Sequence, residues 1–137
     1  MNLATIAFVD CEASGLGPDS YPIEIGWCLP DTGATNNGSC LIVPAPGWTS
    51  WDPEAERIHQ ISRYTLLAGG ISVSDAADKL LEATHGRALF ADGPHDSAWI
   101  GRLFDAAGLP SPIVNSFDRL LDAAVRPEVG SRMRCGL

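Results

Sequence analysis

The stretch from Phe8 to Cys28 sets the terms for the rest of this chain. An apolar run, Ile6 to Val9, leads into Asp10 and reads as a buried strand. Asp10 and Glu12 are two residues apart, so a strand places both carboxylates on one face. Ser14 to Pro18 follows as a glycine-containing turn, and Ile23 to Leu29 as a second strand. Paired carboxylates at the end of a core strand repel each other, and burial raises the pKa of at least one. A hard divalent cation with oxygen ligands relieves that repulsion. A solvated strand end tolerates the same pair without one, and these residues alone leave both readings open.

The remaining pattern alternates strands and helices. The first strand is expected over about Ala4 to Cys11, the second over Tyr21 to Leu29 and the third over Ser39 to Val43. Asp31-Thr32-Gly33 and Asn36-Asn37-Gly38 are turn chemistry, so the three should form an antiparallel meander. Pro44 to Pro53 is a loop carrying Trp48 and Trp51, and Asp52 and Pro53 suit a helix start. After Gly69-Gly70, Ser72 or Ser74 caps a helix over Asp75 to Thr84, with Ala76, Ala77, Leu80, Leu81 and Thr84 on one face. Ala88 to Ala91 is a fourth strand, parallel to its partner because a helix precedes it. Pro94 opens a helix running to Ala107, with Trp99, Ile100, Leu103 and Phe104 as its stripe. Ile113 to Phe117 reads as a fifth strand and Asp118 to Val125 as a helix stopped by Arg126-Pro127.

Length and composition bound the answer. A chain of 137 residues, 45% apolar, suits one domain with a real core. Residues 1–125 are expected to form it, with 126–137 an irregular tail. The net charge is −8, and from Met1 to Glu56 there are eight acidic residues and no Lys or Arg. No basic face is apparent, which argues against tight binding of long duplexes. A short single-stranded end held through metal ions is still compatible. The four cysteines lack metal-type spacing. Cys11 and Cys28 read as buried thiols, and no signal peptide or membrane-length apolar run is present. These features suggest a reducing cytoplasm and no membrane partner.

Phe8-Val9-Asp10-x-Glu12-x-x-Gly15-Leu16, followed by Pro22-Ile23-Glu24-Ile25-Gly26, resembles the first motif of the DEDD-type 3′–5′ exonucleases. This superfamily of ribonuclease H-like α/β fold includes ribonuclease T, oligoribonuclease and polymerase proofreading domains. Trp51 with Ile58-His59-x-Ile61 is a second, weaker point of similarity; a packed structural histidine is the usual reading of His59, a catalytic base the other. Leu89 to Phe104 resembles the second motif: a strand, a small turn, then an Asp at a helix start followed by an aromatic and an aliphatic residue. The residues by themselves allow Asp96 to be only a helix N-terminal charge favoured by the macrodipole.

The resemblance implies a five-stranded mixed sheet, strands one to three antiparallel and strands four and five parallel to strand one. It implies Asp10, Glu12 and Asp96 as catalytic, metal-ligating carboxylates for Mg²⁺ or Mn²⁺ in a two-metal site, with Asp92 a neighbour. It implies that Ser14, Gly15 and Leu16 meet the 3′-terminal nucleotide of single-stranded DNA or RNA. The family's third motif is a C-terminal helix with a fourth carboxylate and a His, or in another branch a Tyr, as general base. After Phe117 this chain has neither, and Asp118, Asp122 and Glu128 do not match the arrangement. The end is therefore expected to be truncated or altered, and activity weakened. Loss of that helix should uncover Ile6 and Phe8, favouring self-association, with a homodimer one outcome. The alternative function is a catalytically inactive relative that binds nucleic acid or another protein. A third reading is an unrelated metal-dependent or structural α/β domain.

Overall fold

The computed structural model describes residues 2–124. Strand β1 (Ile6–Ala13) starts two residues later than expected, because Leu3–Thr5 forms a 3-10 turn capped by Asn2, whose Oδ1 accepts from Ala4 N at 3.0 Å. Strands β2 (Pro22–Cys28) and β3 (Gly38–Leu41) complete the antiparallel meander. Ile42 lies outside β3 and forms a parallel bridge with Ile71.

Three helices follow. In α1 (Pro53–His59), Asp52 accepts from Glu54 N at 2.9 Å and Pro53 opens the first turn. Helix α2 (Arg63–Gly69) is capped by Ser62. The sequence reading missed it, since Leu66 is its one buried residue and no apolar stripe announces it. In α3 (Val73–Ala83) the cap is Ser72, which accepts from Asp75 N at 3.0 Å. Ala76, Ala77 and Leu80 face the core, whereas Leu81, expected on that face, is 42% exposed.

Strand β4 (Ala88–Ala91), helix α4 (Pro94–Ala107), strand β5 (Val114–Ser116) and helix α5 (Phe117–Ala124) close the fold. The sheet order is β3-β2-β1-β4-β5, with β4 and β5 parallel to β1. This is the expected mixed five-stranded sheet flanked by helices.

Alternation along β1 divides the core. Ala7, Val9 and Cys11 pack with Ile25, Leu80, Ile100 and Phe104 on the face covered by α3 and α4. Ile6 and Phe8 occupy the other face with Cys28 and Leu120. There the expectation of lost cover fails. Ile6 is 4% and Phe8 5% exposed, and Phe117 of α5 meets Phe8 edge-on with ring centroids 5.3 Å apart. Helix α5 supplies that cover, so the apolar patch on which the homodimer expectation rested is not exposed. Cys11 and Cys40 are free thiols; Cys28, read as a thiol, is instead disulfide-bonded. Among the described residues no helix is long and apolar enough to cross a membrane. The expected boundary at Val125 and the tail beyond it lie outside the described residues.

Candidate functional site

The β1–β4 ladder runs from Ile6↔Ala88 to Phe8↔Phe90 and then stops. Beyond it β1 continues through Asp10 and Glu12 while the chain after β4 turns into α4. Open α/β sheets bind ligands at such carboxyl ends of parallel strands. The backbone N–H of Cys11 donates to Asp96 Oδ1 at 3.0 Å. A side chain from the first turn of α4 thus takes an amide of β1, which joins the segment after β4 to that of Asp10 and Glu12.

Asp10 and Glu12 share the face of Ile6 and Phe8, past the part that α5 covers. Glu12 stands directly across from Glu24 of β2, and Asp10 across from Gly26. Like charges directly opposite destabilise a sheet. Neither ion pair among the described residues, Arg57–Glu54 and Arg87–Asp31, involves Asp10, Glu12, Glu24 or Asp96. Burial raises the pKa of Asp10, with Asp92 adding to it while the Cys11 backbone opposes. Burial also raises Glu12, reinforced by Asp10, Glu24 and Asp96, and raises Glu24, reinforced by Asp10. Asp96, 7% exposed, is pushed up to about 6, first by burial and then by Asp10 and Asp92, although the amides of Cys11 and Gly93 pull it down.

Oxygen donors that repel one another, with Asp10 exposed, Glu12 and Glu24 half-buried and Asp96 buried, suit a hard divalent cation. Among the described residues, however, no three His, Cys, Asp or Glu side chains are gathered closely enough to hold a metal ion. One oxygen of Asp96 is engaged by the Cys11 amide instead.

The turn after Glu12 divides its residues by role. Ser14 is 1% exposed: its N–H donates to Tyr21 O, its Oγ accepts from Tyr21 N, and its carbonyl accepts from Asp52 N. All three groups hold the turn. A Cβ on Gly15 would lie 3.0 Å from Asp52 Cβ, so glycine is needed for close approach there. Leu16 is 70% exposed and, with Ile58, Trp99 and His59, lines a cleft of about 210 Å³ beside Glu12.

His59 is half-buried. Its Nδ1 accepts from Ile61 N at 3.0 Å, and its ring meets Trp51 edge-on at 5.9 Å. This places its proton on Nε2, which is buried with no hydrogen bond of normal geometry among the described residues. Desolvation lowers its pKa, with Glu56 and the Ala13 backbone opposing. Sequence reasoning put Glu24 and Ile58 in the motif stretches and Trp99 in the α4 stripe, and gave none of them a place in the site. The acid standing alone between Ile23 and Ile25 was the one available signal, and it needed the strand register to matter.

No protein-family model matches the sequence, nor does any curated protein. Solved structures are similar. Escherichia coli exonuclease I in complex with a dT13 oligonucleotide matches 91% of this chain and 31% of its own, with TM-score 0.66 and 16% identity. Its complex with a dA16 oligonucleotide gives 91%, 30%, 0.68 and 16%. Exonuclease I with the inhibitor BCBP gives 93%, 32%, 0.69 and 16%. The chain spans about a third of the length of these structures. At this identity the likeness establishes architecture: the chain has the ribonuclease H-like α/β fold found in exonuclease I.

Proposed function

We propose that this chain is a metal-dependent 3′–5′ exonuclease-like protein acting on single-stranded nucleic acid. The observation that carries the reading is the hydrogen bond from the Cys11 amide to Asp96, which ties the start of α4 to β1 between Asp10 and Glu12 where the β1–β4 ladder ends, with no cation among the described residues paired to any of the three carboxylates. In this reading the three carboxylates hold Mg²⁺ or Mn²⁺. When bound, such an ion supplies an activated water and charge stabilisation for the leaving oxygen. The chain's own contributions are positional. The Cys11 amide orients Asp96, Gly15 lets the turn approach Asp52, and Leu16 and Ile58 present apolar surface to a terminal base. The complexes of exonuclease I with dT13 and dA16 support single-stranded DNA as the substrate to test first. The free thiols of Cys11 and Cys40 support a cytoplasmic setting, while the bonded Cys28 counts against it.

A second reading, an inactive relative that retains binding, draws on the carboxylates not being gathered into a ligand group among the described residues. Metal and substrate titrations separate the two. Mn²⁺ should raise the melting temperature of the wild type and not of Asp10→Ala, since binding to the native state alone stabilises it. Short single-stranded DNA should then be shortened from its 3′ end. Mn²⁺ stabilisation without cleavage supports the inactive relative. Equal, unmoved melting temperatures would overturn the metal site.

A further inference from the structure

The sequence shows no basic face, yet the fold gives Arg63 and Arg102 no acidic partner among the described residues. Arg63 of α2 donates to the Tyr21 hydroxyl, and to Trp48 O at 3.1 Å. Arg102 of α4 donates to Ser20 O at 2.7 Å. Tyr21 and Trp48 stack with centroids 5.3 Å apart. The Arg63 guanidinium lies over Tyr21 at 5.9 Å and that of Arg102 over Trp48 at 5.4 Å. Both arginines are half-buried, and neither belongs to an ion pair among the described residues. Each guanidinium has five N–H donors, and the hydrogen bonds named here use few of them. Every acceptor named is neutral, so among the described residues neither charge is paired, in a chain of net charge −8.

The placement of Arg102 relative to the carboxylates follows from α4, and Arg63 stands at the same Tyr21–Trp48 stack. Asp96, Trp99 and Arg102 are spaced three apart and lie on neighbouring positions of one helix. Six residues of helix put Arg102 about 9 Å along the axis from Asp96. Trp99 lies between them, lining the cleft beside Glu12, and its Nε1 donates to Ser20 Oγ at 2.9 Å. A chain end held at the carboxylates and running along α4 passes Trp99 and reaches Arg102. Guanidinium groups are suited to phosphate oxygens.

We infer that Arg63 and Arg102 form a phosphodiester-binding site that grips the backbone of a single strand upstream of its 3′ end. This rests on the exonuclease-like reading of the carboxylates. The test is oligothymidylate binding in Ca²⁺ across a salt series, for the wild type and for Arg63→Gln, Arg102→Gln and Arg102→Lys. For a longer oligonucleotide each Gln variant should flatten the slope of log affinity against log salt by about 0.7, the amount for one phosphate contact on a single strand. Arg102→Lys should restore the slope, which a purely structural brace over Trp48 would not do. Dinucleotide binding should be unchanged, since it does not reach Arg102. Unchanged slopes in folded Gln variants overturn the site, as does an Arg-dependent affinity for inorganic phosphate alone. Flattened slopes together with no Mn²⁺ stabilisation would instead remove the nuclease reading and leave the backbone grip standing.

Discussion

At the scale of single residues, Asp96 carries the most consequence. It is buried, accepts the Cys11 amide, and has a native pKa of about 6 against an ordinary 3.8. Between these values the native state retains a proton that the unfolded chain has released. Stability therefore rises as pH falls through about 6 and levels off below about 4. Above pH 6 both states are ionised and the burial cost is fully felt. Asp96→Asn, which still offers an oxygen to Cys11, should abolish this dependence. The difference should be on the order of 1–3 kcal/mol between neutral and acid pH. Urea midpoints of both proteins over that range check it; parallel profiles would contradict the assignment. Under the proposed metal-binding reading the ion would compete with that proton, so the Mn²⁺-induced rise in melting temperature should shrink below about pH 6.

At the scale of elements, the junction of β3, α2 and α3 is set by close backbone contact. A Cβ added to Gly70 would lie 2.5 Å from Leu66 O and 2.9 Å from Val43 N. Both are backbone atoms that side-chain rotation cannot move away. Gly70→Ala should therefore destabilise by about 1–3 kcal/mol. Ser72→Ala, which removes the α3 cap, should cost about 1 kcal/mol. Denaturant unfolding that ranks the cap loss well above the glycine change would show that this junction relaxes more easily than its geometry implies.

At the scale of the whole molecule, one sheet face is divided between a covered apolar part and an open acidic part. Phe117 and Leu120 seal Ile6 and Phe8, while Asp10, Glu12 and Glu24 continue the same face outside that cluster among the described residues. The intact chain should therefore sediment as a monomer. Leu120→Ala should cost about 2–5 kcal/mol through the cavity it leaves, and the loosened face should promote association. A wild type that self-associates as strongly as the variant would show that α5 is not an effective cover.

Local patterning determined much of this protein. Period-two alternation placed β1 and β2, the carboxylate pair fell on one face, and cap and turn residues located α1, α3 and α4. Those features depend on residues close in the chain, where side-chain periodicity and backbone preference act directly. Helix α2 escaped because one buried leucine makes no stripe, and Leu81 was misplaced because a three-turn helix shows its core side only when its neighbours are known. The opposition of Glu24 to Glu12, the capture of Asp96 by the Cys11 amide, the cover supplied by α5 and the two arginines over Tyr21 and Trp48 arise between segments far apart in sequence. Strand register and helix docking decide such contacts, because the free energy that selects them comes from packing the sheet faces and not from any one stretch of chain.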